Sequence, residues 1–154
     1  MDYKTIDVCT VTLVRDRTVD YLGRVADSDD VKNLAKQLGY ETFAEEVVGV
    51  FCLDMKGKIN SYFEVSRGGV ENSMMSAREI FKRAITANAS SVILVHNHPS
   101  GEPTPSADDT SVTRTMVKAG EILGIRVLDH IIIGDGETYS YGNEGLISEY
   151  RYEA

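Results

Sequence analysis

The stretch LVHNHPSGEPTPSADD, residues 94–109, holds two of the chain's three histidines and all three of its prolines. His96 and His98 stand two residues apart. In an extended chain alternate side chains face the same way. Pro99 biases His98 toward an extended conformation, because the proline ring clashes with the α region of the preceding residue. Both imidazoles are therefore expected on one face of a strand end. Two neutral imidazoles there would make a pair of zinc ligands, at about 2.0–2.1 Å each. A metal centre needs a further protein ligand, and Asp108 and Asp109 are the nearest. The turn carrying Gly101, Pro103 and Pro105 could fold the next helix start back onto the histidines. Periodicity does not choose between the two aspartates, since each lies roughly 50° from the centre of the apolar face at 100° per residue. Asp109 also follows Ser106 by three residues, so the pair reads equally well as the N-cap and N3 partners of a helix cap. Two other zinc signatures are absent: the H-E-x-x-H of helical proteases, and the deaminase H-x-E with P-C-x-x-C.

The elements that would position these groups follow from apolar spacing. Residues 6–14, IDVCTVTLV, alternate and predict a first strand. The acids of DSDD at 27–30 predict a helix start, with the helix over 31–38 and Gly39 as its stop. Residues 46–65 read as a hairpin turning at MKGK. Residues 76–88 predict a helix, with Ser76 and Glu79 as a capping box and Ala77, Ile80, Phe81, Ala84 and Ile85 on its apolar face. The run SSVILVH at 90–96 predicts a strand buried on both faces. A second helix lies within 103–124. Ser106 can cap it, Val112, Met116, Ala119 and Leu123 line one face, and Gly124 ends it. Residues 125–134 read as another buried strand, and the turn-rich 135–145 leaves room for one short strand. Strands interleaved with helices predict an α/β domain with a mixed β-sheet flanked by helices. No repeat or linker divides residues 1–154, so one domain is expected, with 1–28 as an N-terminal strand and connection.

Bulk properties narrow the function classes. A length of 154 residues with 42% hydrophobic residues suffices for a real core. The net charge of −8 argues against backbone-driven nucleic-acid binding, which needs a basic surface. Cys9 and Cys52 each lie in a strand-like run and are expected to be buried, reduced thiols. Asp2, Lys4 and Asp7 stand where a signal peptide would have its apolar region. The longest apolar run, 47–53, is far short of a membrane span. The expectation is a cytoplasmic protein without a membrane partner.

HNHPSGEPTPSADD fits the pattern H-x-H-x7-S-x2-D through His96, His98, Ser106 and Asp109. The pattern resembles the signature of the JAMM (JAB1/MPN) metalloprotease superfamily. AREIFKRAITANASSVILVHNHPSG and LGIRVLDHIIIGDGETYSY resemble its RadC-like branch, and the resemblance runs over about 29–147. The first thirty residues show no helix-hairpin-helix pair, so the chain looks like the short form of that branch, and DNA binding carries over weakly. The superfamily has an upstream glutamate in E-x-x-G, and Glu46-Val-Val-Gly49 matches it. Glu45 is its neighbour and competitor, and both could be solvated acids at a strand entrance. The resemblance favours Glu46.

The resemblance implies a JAMM/MPN (cytidine-deaminase-like) architecture and a zinc-dependent hydrolase of peptide or isopeptide bonds, acting on a peptide or protein substrate. His96, His98 and Asp109 would hold zinc. Glu46 would move the proton of the attacking water, and Ser106 would hydrogen-bond the oxyanion. The alternatives are a metal-retaining binding module without turnover, and the DNA-repair accessory role that the RadC label suggests. His130 also fits the branch pattern and is expected to be structural or to support a ligand. Asn97, Ser100 and Arg78 are expected to support the turn. Tyr139 and Tyr141 are either packing residues or the border of a substrate cleft.

Overall fold

A computed structural model describes residues 5–21, 23, 25, 27–68 and 75–153. The strands are β1 (Val47–Leu53), β2 (Ile59–Arg67), β3 (Ser91–Asn97), β4 (Arg126–Ile133) and β5 (Thr138–Ser140). The helices are α1 (Ser28–Gln37), α2 (Ala77–Thr86), α3 (Ala107–Leu123) and α4 (Leu146–Tyr152). The sheet order is β2-β1-β3-β4-β5. β3 and β4 run parallel and every other pair is antiparallel, which makes the mixed sheet expected from the interleaved pattern. Among the described residues no helix is long and apolar enough to cross a membrane.

Both faces of the sheet are covered, which is why β1 and β3 are apolar throughout rather than alternating. Val48, Val50, Cys52, Val92 and Leu94 pack with α2, α3 and α4. Val47, Phe51, Leu53, Ile93 and Val95 pack with α1 on the opposite face. Burying such a side chain stabilises by about 1.5–3 kcal/mol, so β1 and β3 anchor the cores on both faces. This period of two continues through the end of β3. It turns His96 toward α3 and Asn97 toward the α1 side.

Local chemistry sets the helix ends. The Asp27 carboxylate accepts from the Asp29 and Asp30 amides, so α1 begins three residues earlier than the apolar spacing suggests. Gly39 follows its end with φ +96°, the left-handed backbone that glycine adopts readily. The capping box expected at α2 is not made. Glu79 instead pairs with Lys82 and Arg83 at 2.8 and 2.9 Å, because two cations one turn on hold the carboxylate better than one backbone amide. Ile85 of the expected apolar face is 55% exposed. In α3 the buried stripe is Thr113, Met116, Val117 and Gly120. Val112 and Ala119 flank it, and Leu123 lies outside it, exposed.

Three expectations differ at the chain ends. Residues 6–14 form no strand. Ile6, Val8, Val11 and Val14 are all strongly exposed, and so is Cys9, so only Cys52 is a buried thiol. Alternation supplies the capacity for a strand, but a ladder needs a partner edge, and neither outer strand pairs with this segment. Asp2 and Lys4 lie outside the described residues. α4 was not anticipated: it is seven residues long and buries only Ile147 and Tyr150, too little for a periodic signal.

Candidate metal centre

The centre forms where the ends of β1 and β3 meet the start of α3. β1 and β3 pair with Val48 opposite His96. Glu46 immediately precedes β1, at this same end of the ladder. The turn after β3 is tied to the neighbouring strand end, with the His98 amide donating to the Ile133 carbonyl and the Asp135 amide to the Gly101 carbonyl. Gly134 allows this close approach, since a Cβ there would collide with the Gly101 carbonyl and the Pro103 ring. The chain then re-enters at Ser106 and α3 starts directly over the histidines. The glycine of E-x-x-G has a similar cause. A Cβ on Gly49 would overlap the hydroxyls of Tyr40 and Tyr62, which hydrogen-bond to each other at 2.7 Å above it.

His96, His98 and Asp109 each offer one ligand atom, and these atoms lie within 4.8 Å of one another. His96 Nε2 is 3.0 Å from His98 Nε2 and 3.3 Å from Asp109 Oδ1, and His98 Nε2 is 3.3 Å from Asp109 Oδ2. Asp108 is exposed and outside the group, so α3 presents Asp109. The donor chemistry suits a cation. His98 Nδ1 donates to the Glu102 carbonyl at 2.8 Å, which leaves its Nε2 free to face the cluster. Ser106 and Asp109 form the capping box that the S-x-x-D spacing allowed. The Ser106 hydroxyl donates to Asp109 Oδ2 at 2.7 Å and accepts from the Asp109 amide at 3.0 Å. Cap and cluster are thus one structure: the cap aims the carboxylate. Glu46 stands beside the group, 40% exposed, with Oε1 3.9 Å from His96 Nε2. Glu45 lies instead against Gly68.

Burial works to raise the pKa of Asp109, but the neighbouring His96, His98 and Ser106 outweigh it and hold the carboxyl well below the usual range. The bond to Asp109 raises the pKa of His98; burial opposes this and the Glu102 carbonyl adds to it. In the metal-free protein this pair therefore favours folding below the ordinary histidine pKa, and that contribution fades as pH rises through the raised value. Metal binding has the opposite sign, because a proton and a metal compete for His98 Nε2. Metal affinity is expected to fall as pH drops through the His98 titration, with proton release on binding. Calorimetric titrations in buffers of different ionisation enthalpy measure that release. Affinity that does not change with pH would rule the competition out.

Asn97 does more than support its own turn. Its Oδ1 accepts from the Val47 amide at 2.8 Å, and its Nδ2 donates to the carbonyls of Glu45 and Phe43 at 3.0 and 3.4 Å. The residue between the two histidines thus clamps the backbone on either side of Glu46. Asn97→Ala would leave the buried Val47 amide unpaired. It is expected to cost about 1–3 kcal/mol in denaturant unfolding. An unchanged unfolding midpoint would mean that the clamp carries no load.

The remaining expected residues separate. Ser100 accepts a long bond from the Glu102 amide, at 3.4 Å. Arg78 is exposed on α2, and among the described residues no hydrogen bond joins it to the turn. Tyr141 is fully buried and cannot border an open cleft. Its ring stacks on His130 with centroids 5.2 Å apart and 5° between planes, while Tyr139 packs edge-on against it. His130 is fully buried and contacts His96 directly, with Nε2 2.8 Å from His96 Nδ1. Thr113, absent from the sequence-based candidates, touches the other nitrogen of His130 at 2.6 Å. Its signal was faint, a lone threonine on an apolar helix face.

Comparison with known proteins gives the family. The chain is 48% identical over 122 residues to a UPF0758 protein of Caldanaerobacter subterraneus, covering 79% of this chain and 52% of that protein. It is 51% identical over 98 residues to a UPF0758 protein of Pelobacter propionicus, covering 64% and 43%. A UPF0758 protein of Methanosarcina barkeri is 43% identical over 124 residues, covering 80% and 54%. The chain thus spans about half the length of the curated relatives it matches. Residues 25–146, which hold the whole sheet, Glu46, His96 and His98 at the strand ends and Asp109 at the start of α3, match the RadC-like JAB domain, and the chain belongs to that family.

Proposed function

We propose that the protein is a zinc-dependent hydrolase of peptide or isopeptide bonds, acting in the cytoplasm on a peptide or protein substrate. One observation carries this reading: His96, His98 and Asp109 group as three ligands while Glu46 stands just outside, 3.9 Å from His96. Three protein ligands leave a tetrahedral zinc one open position, whereas a fourth would close it as in structural sites. When bound, the ion would act as a Lewis acid and bring the pKa of water to about 7. Glu46 would take a proton at its carboxylate and return it to the leaving amine. Ser106, whose hydroxyl proton rests on Asp109 Oδ2, would turn that proton to the oxyanion of the tetrahedral intermediate. Asn97 would keep Glu46 in reach by holding the backbone on both sides of it.

The test compares full-length protein stripped by chelator with the same protein reloaded with zinc, against peptide and isopeptide libraries. Cleavage that appears only on reloading supports the proposal. Stoichiometric zinc without cleavage of any library would favour a metal-retaining binding module, which needs the same three ligands. A DNA-processing role draws no support from a net charge of −8.

A further inference from the structure

We infer that His130 is a positioning residue which, with Thr113, locks His96 in the tautomer whose Nε2 is bare toward the cluster. This inference rests on the metal-site reading above and extends it to groups one layer deeper.

The argument is a count of protons along one chain of contacts. Thr113 Oγ1 lies 2.5 Å from the Asp109 carbonyl and 2.6 Å from His130 Nδ1. A carbonyl can only accept, and two oxygens that close need a proton between them. The single hydroxyl proton of Thr113 is therefore spent on Asp109. His130 Nδ1 must then carry a hydrogen and donate to Thr113. That leaves two states for His130. An imidazolium would put a charge in a fully enclosed position with no carboxylate hydrogen-bonded to its ring. It would also donate from Nε2 to His96 Nδ1 and push the His96 proton onto Nε2, among the ligand atoms. The neutral ring avoids both penalties. Neutral His130 has a lone pair on Nε2, and it accepts at 2.8 Å from His96 Nδ1–H. His96 Nε2 is then unprotonated and faces His98 and Asp109 at 3.0 and 3.3 Å.

The fold protects this arrangement. The Tyr141 ring stacked on His130 prevents it from flipping, and the Tyr141 hydroxyl meets Thr110 at 3.1 Å on the same turn of α3 that bears Asp109 and Thr113. One helix thus supplies the third ligand and, four residues on, the acceptor that orients His130 and, through it, the first. Partners of this kind typically hold 10–100-fold of a site's metal affinity.

Long-range 1H–15N spectra of the uniformly labelled full chain read imidazole tautomers directly, with and without zinc. The Nδ1–H form is expected for His130 in both states. A His130 carrying its proton on Nε2 would overturn the inference. The second measurement is zinc affinity by chelator competition. His130→Phe can still stack on Tyr141 but offers no acceptor, and it is expected to weaken zinc binding about 10–100-fold. His130→Gln, which can accept from His96 and donate to Thr113, should recover part of the loss. Thr113→Val should weaken binding and Thr113→Ser should not. A merely structural role would track unfolding temperature and would not separate Gln from Phe, or Ser from Val, at matched stability. Folded His130→Phe binding zinc as tightly as the parent protein would sink the inference. Should that variant not fold, the Thr113 pair and the tautomer spectra still decide. If the parent protein binds no zinc, the metal-site reading fails by itself, and the metal-free spectra still report the His130 tautomer.

Discussion

Asp109→Asn is expected to lower zinc affinity by at least about 10²-fold, beyond the 10–100-fold typical of supporting partners, while Asp108→Asn leaves it unchanged. The two aspartates are neighbours of equal charge at the start of α3, so a difference between them cannot come from net charge or helix dipole. It comes from direction. Asp109 sets one oxygen 3.3 Å from each ligand histidine, and Asp108 points to solvent. Asn at 109 keeps one oxygen and the helix start but removes the negative charge that would balance a divalent ion. The N-cap contributes too, since Ser106 bonds the same carboxylate through both amide and hydroxyl. His96→Ala should match Asp109→Asn or exceed it, because it removes a nitrogen ligand outright. Elemental analysis and chelator competition on the four proteins measure this. Equal loss from both aspartate variants, or loss from Asp108→Asn alone, would mean that α3 presents a different carboxylate.

The second large effect is on turnover. Glu46→Gln is expected to fold, keep its metal and lose roughly 10²–10⁴ in rate, the range for general acid–base catalysis. Gln preserves the shape and one acceptor oxygen but takes no proton. Glu46 is not one of the three clustered ligands, so metal content should hold. That separation of metal from rate distinguishes a proton carrier from a ligand. Glu45→Gln is the internal control: it carries the adjacent carboxylate, which lies against Gly68, and should keep parent activity. If Glu46→Gln lost zinc as readily as Asp109→Asn, Glu46 would be a ligand and the centre a closed one. If it cleaved an identified substrate at the parent rate, the proton would be moved elsewhere.

Much of this protein could be read along the chain. The apolar runs of β1, β3 and β4 declared a buried sheet, because burial on both faces removes alternation. The hairpin and the starts of α1 and α3 followed from turn and capping chemistry, which is local. His96 and His98 could be paired for the same reason, since a period of two and one proline decide where both side chains face. Where local signals met competing partners, they misled. Glu79 chose two cations over the cap, and residues 6–14 had alternation but pair with neither outer strand. The tertiary structure alone decided what depends on register between distant strands and on the angle at which a helix returns. Glu46 comes to His96 across fifty residues because β1 and β3 pair as they do, and Asn97 holds that junction. Asp109 wins over Asp108 because the turn at 98–105 docks on the end of β4 and sets the phase of α3 over the histidines. Thr113 and His130 join only there, where a helix face meets a neighbouring strand, and no spacing along the chain encodes a contact made between elements that fold back from opposite sides.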